Sequence, residues 1–248
     1  MIHGIQNVLR SLGFQVVRSP TPTHARLREV LQRVFKSYSI NCVLDVGANT
    51  GQYATLLRAI GYKGWIISFE PVRATYEVLA RTASKDARWR VFPYALGATR
   101  GQFEINHMGA SELNSFLDPV PESRSSFPTN LIQGKETVEV YRLEDILGEC
   151  IKGIPAPKIY LKLDTQGFDL EVLKGAKGIL PQVLSLQSEL SFRPIYRGMK
   201  TYAESIDAFN TSGFHVVDFI PVSRELNQLC VIEMDCILAR RPDWPPAQ

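Results

Sequence analysis

The sequence has little that would cross-link it or anchor it in a membrane. Its four cysteines are Cys42, Cys150, Cys230 and Cys236. None forms a CxxC pair and no paired histidine stands nearby, which argues against a structural zinc site. Cys42 and Cys236 lie inside apolar runs and read as small buried hydrophobes, a usage that suits a reducing compartment. No apolar run approaches the roughly 20 residues that would span a bilayer. The stretch from Met1 to Val17 has neither an unbroken apolar core nor a small-residue cleavage site, so it does not read as a secretory signal. These absences predict a soluble, cytoplasmic protein. Excess charge is also lacking: the formal net charge is +3, without the clustered basic stripe of a nucleic-acid binder. One asymmetry stands out in residues 1–40, where Arg10, Arg18, Arg26, Arg28, Arg33 and Lys36 face a single acid, Glu29. That pattern fits a solvated helix face, or peripheral contact with an anionic ligand or a membrane surface.

What is present is a regular alternation. With 248 residues, the chain can bury roughly 70–75% of its unfolded surface in one α/β domain. Leu27, Val30, Leu31, Val34 and Phe35 recur at helical spacing over 24–37. Short apolar strands are then expected at Cys42–Val46, Trp65–Phe69, Trp89–Tyr94, Ile159–Leu163 and Val183–Leu190. Between them lie predicted helices at 51–60, 72–83, 168–174 and 201–212, with Gly175 as the C-cap of the third. Phe214–Phe219 and Leu229–Leu238 follow each other without a helix and should pair antiparallel. The rhythm predicts a Rossmann-like α/β fold: a mostly parallel seven-stranded sheet with its last strand antiparallel and helices on both faces. It divides as a helical extension (1–40), a main domain (41–241) and a frayed tail (242–248). Between 98 and 158 the alternation breaks into β-like pieces, Gln102–Asn106 and Thr137–Tyr141, around a polar loop. Such a long insertion is expected to form a cap over a site.

Three motifs carry chemistry. In Val43-Leu-Asp-Val-Gly-Ala-Asn-Thr-Gly-Gln-Tyr53, Gly47 and Gly51 permit a tight strand–helix turn where a ligand lies against the backbone. The third glycine of a dinucleotide fingerprint is missing, and no Gly-Lys-Ser/Thr follows for a phosphate loop. Asp45 is unfavourable beside a pyrophosphate but favourable beside an ammonium or sulfonium. These charges point to S-adenosylmethionine; the alternative is an empty turn capped by Asn49 or Thr50. Glu70, in Phe69-Glu70-Pro71, stands where an acid can accept both ribose hydroxyls, or is a solvent-facing strand end. Asp164, in Lys162-Leu-Asp-Thr-Gln-Gly-Phe-Asp169, is placed to act as base, to bind a divalent ion such as Mg, to orient the cofactor's ammonium, or to cap the next helix. Glu189 faces the same rim as a second base or metal contact, or pairs with Arg193 or Lys162. His107 is a weaker base candidate, and Ser111, Asn114 and Ser115 are placed to line a substrate pocket.

Taken in order, these blocks resemble the FkbM-type methyltransferases from about Ile40 to Ala239. The resemblance rests on the Val43–Tyr53 turn, Phe69-Glu-Pro, Ala95-Leu-Gly, Leu113-Asn-Ser, Thr137-Val-Glu-Val with Leu143-Glu-Asp, and Lys162-Leu-Asp-Thr-Gln-Gly with Val172-Leu-Lys-Gly-Ala176. It implies a class I methyltransferase fold and O-methylation of a sugar, glycolipid or polyketide hydroxyl. It also implies a cofactor loop of Asp45, Gly47, Asn49 and Gly51, with Ala48, Gln52, Tyr53, Pro71 and Ala95 beside it in the same blocks. Glu70 would hold the ribose and Asp164 would stand near the transferred methyl. Two positions depart from the family pattern: Gln166 replaces its usual acid, and Asp169 a later glutamate. Competing readings are a dinucleotide-dependent oxidoreductase and an inactive binding module built on the same fold.

Overall fold

The computed structural model describes residues 22–225 and 230–240. Arg10, Arg18, the 242–248 tail and Leu229 therefore lie outside the described residues. The chain runs α1 (Pro22–Ser37), β1 (Cys42–Val46), α2 (Gln52–Ala59), β2 (Trp65–Phe69), α3 (Arg73–Ala83), β3 (Trp89–Phe92) and β4 (Ala95–Leu96). It continues through β5 (Gly101–Met108), β6 (Ile132–Tyr141), α4 (Leu143–Cys150), β7 (Ile159–Leu163), α5 (Asp169–Gly175), β8 (Val183–Ser191), α6 (Tyr202–Thr211), β9 (Phe214–Glu225) and β10 (Cys230–Arg240).

The main sheet has the order β3-β2-β1-β7-β8-β10-β9. β1 pairs in parallel with both β2 and β7, whereas β10 runs antiparallel to β8 and β9. That is the Rossmann-like class I methyltransferase arrangement, and it places the reversal of strand order between β1 and β7. Burial explains why β1 and β7 are apolar apart from Asp45 and Lys162: every residue in each is buried, as befits a parallel sheet covered on both sides. Alternation sorts their side chains. Cys42, Leu44 and Val46 join Leu161 and Leu163 against Leu147 of α4, Val172 of α5 and Phe209 of α6. Val43 and Tyr160 join the opposite layer, against Leu31 of α1, Leu57 of α2 and Leu79 of α3. The apolar positions predicted for 24–37 are all buried. Arg26 in α1 pairs with Glu29 and Asp218, and Arg33 with Glu29.

Several expectations need correction. β3 ends at Phe92 rather than Tyr94, because Pro93 has no N–H for the ladder. Ala95–Leu96 instead joins a second sheet, β4-β6-β5. β6 begins at Ile132, well before Thr137. Its outer half alternates polar with polar (Lys135, Glu136, Thr137), which hid it from an apolar pattern. The insertion also contains a regular helix, α4, that the sequence reading treated as irregular. Gly175 is not a left-handed terminator: it is the last residue of α5 and has no positive φ. Its lack of a side chain serves packing instead, since a Cβ there would collide with the Gly97 carbonyl.

Candidate functional site

The β1–α2 turn opens at the reversal point. Gly47 has φ +79, and a Cβ on it would strike the Asp164 carbonyl, so only glycine lets β1 and β7 meet there. Gly51 also has positive φ, +94, but its open side is filled by Trp89 and Leu79. It is a packing glycine and does not line the cavity, contrary to its expected role against a ligand. The turn's N–H groups are already engaged. Those of Gly47 and Ala48 donate to Phe69 O, that of Gly51 to Ala48 O, that of Asn49 to Glu70 Oε2 and that of Thr50 to Asn49 Oδ1.

Beside this turn lies a cavity of about 780 Å³, within the usual range of small-molecule sites. Its wall includes Ala48, Asn49, Gln52, Tyr53, Glu70, Pro71, Ala95, Asn114, Ser115, Asp164 and Glu189, all expected from sequence, together with Gly47. Besides Gly51, two predicted residues are elsewhere. His107 is not in the wall and bonds Glu136 at 3.1 Å. Asp45 is fully buried beneath the wall, accepting from Ser68 Oγ at 3.2 Å and lying 3.5 Å from Lys162 Nζ. Strand alternation turns its side chain into the α1–α3 layer. It is therefore not an open carboxylate awaiting a ligand. Burial raises its pKa, which Lys162 opposes.

Lys162 is the residue that sequence reasoning undervalued. It sits between two acids, with Asp164 Oδ2 at 2.9 Å and Asp45 at 3.5 Å, and 4.8 Å from the Tyr53 ring centroid. Burial alone would lower its pKa, but Asp164 and Asp45 outweigh it and the ammonium is held charged. The three residues together carry one net negative charge. A lysine two places before a strand-end aspartate, facing the same side as the β1 aspartate, was the available signal.

Asp164 does not cap the next helix. Asp169 reaches back instead, accepting from the Thr165 N–H at 2.8 Å and the Thr165 hydroxyl at 2.5 Å. Gln166, in left-handed backbone at φ +51, extends its amide between the two candidate catalytic acids. Its Nε2 donates to Asp164 Oδ1 at 3.1 Å and to Glu189 Oε2 at 3.3 Å. Glu189 thus bonds Gln166, while Arg193 pairs with Glu225 at 2.9 Å. Glu233 and Asp235 of β10, both missed from sequence, complete the far wall. Burial pushes Glu189 well above the ordinary carboxylate range, with Asp164 and Glu233 adding to the shift. It also lifts Glu233 to about 7 and Asp235 to about 6. At the opposite end, Glu70 is likewise raised by burial to about 7, although N–H groups of Val72 and Asn49 donate to it.

The insertion closes over this wall. Asn49 Nδ2 donates to Ser111 Oγ at 3.1 Å, Ser115 Oγ to the Gln166 carbonyl at 2.8 Å, and the Phe116 and Phe168 rings meet at a tilt with centroids 4.8 Å apart. The Tyr196 hydroxyl lies 2.8 Å from Leu113 O and 2.9 Å from Gln166 Oε1.

A model of the Methyltransferase FkbM domain matches residues 45–216. The chain belongs to the FkbM methyltransferase family. Methyltransferase sdnD of Sordaria araneosa is 31% identical over 155 residues, covering 54% of this chain and 59% of that protein. The 2-O-methyltransferase NoeI of Sinorhizobium fredii is 23% identical over 205 residues, covering 80% and 82%. The chain thus spans a little under three-fifths of the length of sdnD, and most of NoeI. Among solved structures, the FkbM methyltransferase from Methylobacillus flagellatus is similar at 16% identity and a TM-score of 0.48, over 79% of this chain and 43% of that one. The turn, Glu70 and Asp164 of this FkbM chain share one cleft. Among the described residues no helix is long and apolar enough to cross a membrane.

Proposed function

We propose that this chain is an S-adenosylmethionine-dependent O-methyltransferase acting on a small-molecule hydroxyl, with a sugar or glycolipid as the acceptor class. The observation that carries the reading is the charge layout of the cleft. The Asp45–Lys162–Asp164 group has a surplus negative charge beside a turn whose N–H groups from Gly47 to Gly51 are engaged within the protein. A pyrophosphate needs free N–H donors there; a cationic donor needs a carboxylate.

The wall residues fit that cofactor. Glu70, whose two oxygens each hold one N–H, keeps further lone pairs for ribose hydroxyls. Asp164 is available to an ammonium, and Ala48, Asn49, Gln52, Tyr53, Pro71 and Ala95 surround the space between them. When bound, the cofactor supplies an electrophilic methyl group on sulfur. The protein then aligns the acceptor hydroxyl and takes up its proton, at Asp164 or Glu189. Asn114 and Ser115 line the acceptor side. Gln166 holds both acids in place. A divalent ion does not fit this arrangement. The Gln166 amide occupies the position between Asp164 and Glu189, and no group of three ligating side chains is arranged for a metal among the described residues. The similarity to NoeI, a 2-O-methyltransferase, supports oxygen as the acceptor atom.

Calorimetry with S-adenosylmethionine tests the reading. Binding is expected in the wild type and at least roughly tenfold weaker in Glu70→Ala, the scale of a lost charged hydrogen bond. Labelled methyl transfer to a panel of glycosides and glycolipids tests the acceptor class. Binding of NAD instead of the methyl donor would reject the proposal in favour of an oxidoreductase.

A further inference from the structure

The charged groups in the cavity wall are unequal in sign. Among the described residues the wall carries six acids, Glu70, Glu112, Asp164, Glu189, Glu233 and Asp235, and a single base, Lys162. The methyl donor proposed above bears two cations, the sulfonium and the α-ammonium, and one anion, the α-carboxylate. Both cations find acids at many points of this wall. The carboxylate does not: beside any of the six that is ionised it meets like charge, and Lys162 is the one basic side chain of the described wall. The turn offers it little, because the N–H groups of Gly47, Ala48, Asn49, Thr50 and Gly51 already have acceptors within the protein.

We infer that Lys162 binds the α-carboxylate of the methyl donor while its neighbour Asp164 binds the α-ammonium, so that the pair reads the amino-acid end as a zwitterion. Three features of the geometry support this assignment, which rests on the proposed cofactor. Lys162 Nζ lies 2.9 Å from Asp164 Oδ2, so a positive and a negative group stand side by side, as the ammonium and carboxylate of an α-amino acid do. The ammonium has three N–H donors; one donates to Asp164, while Asp45 Oδ1 stands 3.5 Å away as an ion-pair contact. Its position is fixed: Asp45 below and the Tyr53 ring, 4.8 Å from Nζ, leave it no freedom to swing away. Asp45 thereby acquires a role from beneath the wall. It holds Lys162 upright and keeps the local charge balanced when a carboxylate arrives, and so is a positioning residue.

The test compares two probes by calorimetry, S-adenosylmethionine and its decarboxylated analogue, which keeps both cations and lacks only the carboxylate. The wild-type full chain should bind the first roughly 10- to 100-fold more tightly, the worth of one hydrogen bond between charged groups. In Lys162→Met that preference should collapse to within about threefold, mostly through weaker binding of the carboxylate-bearing probe. Wild-type protein that binds both probes equally overturns the assignment without recourse to any variant, so a poorly folded Lys162→Met does not matter. A preference that survives in Lys162→Met also overturns it, and would place the carboxylate at the first turn of α2. Binding of neither probe refutes the cofactor itself, a separate failure.

Discussion

Glu70 shows how one side chain serves both scaffold and ligand. Its oxygens accept from the N–H groups of Asn49 and Val72, joining the β1–α2 turn to the start of α3. Burial raises its pKa to about 7. Ribose hydroxyls donate to the ionised form, so a proton must leave wherever the pH is below that value. Cofactor affinity should therefore rise as pH climbs from 6 to 8. In Glu70→Gln the slope of log Kd against pH should fall by up to about one proton, as calorimetry across that range would register. An unchanged slope would place the ribose elsewhere. Gly47 allows a prediction of a different kind. Gly47→Ala combines a left-handed φ with a collision against the Asp164 carbonyl, and should lower unfolding free energy by at least about 2 kcal/mol in urea titrations. Sequence revealed Glu70 and Gly47 because strand-end acids and turn glycines leave local marks. It misjudged Asp45, whose partner Lys162 is far along the chain and becomes a neighbour only through the β1–β7 register.

Of the bonds that tie the insertion, β4 to β6 with its loop, to the rest of the molecule, two sets meet at Gln166. Ser115 donates to its carbonyl, and Tyr196 links its side chain to Leu113. Ser115→Ala should loosen the 109–131 loop with little effect on the melting temperature, read as faster proteolysis within that loop at constant global stability. Tyr196→Phe leaves buried acceptors short of a donor and should cost about 1–3 kcal/mol of stability. The insertion was the least legible part of the chain. β6 alternates polar residues on its outer half, and its exposed face gives no apolar signal. The central strands were read almost to the residue because they are buried throughout. Cavity residues of the first motifs were legible for the same local reason, while Glu233 and Asp235, which reach the wall from a strand late in the chain, carried no motif.

Across the whole molecule, the buried acids set a pH dependence of stability. Glu70 and Glu233 are raised from 4.5 to about 7 and Asp235 from 3.8 to about 6, all chiefly by burial. In the window from about 4 to 7 the folded state therefore binds more protons than the unfolded one. Stability contributed by these groups is greatest at the acid end and declines as pH rises, flattening above 7. The ligand-free protein should lose on the order of a few kcal/mol between pH 5 and 7.5 in urea titrations. Saturating cofactor should offset part of that loss, because it favours the ionised acids. A ligand-free protein that grows more stable across this interval would mean these carboxyls are solvated.

The position of β10 bears on how the enzyme is made. It is the last of the described strands, yet it lies inside the sheet between β8 and β9, and it brings Glu233 and Asp235 to the wall. During synthesis, the earlier strands can assemble while this slot stays unfilled. A nascent chain halted before residue 230 would possess the glycine turn, Glu70, Lys162 and Asp164 but no closed cleft. The capacity to hold a ligand is thus acquired only once β10 has been synthesised and has entered its slot between β8 and β9.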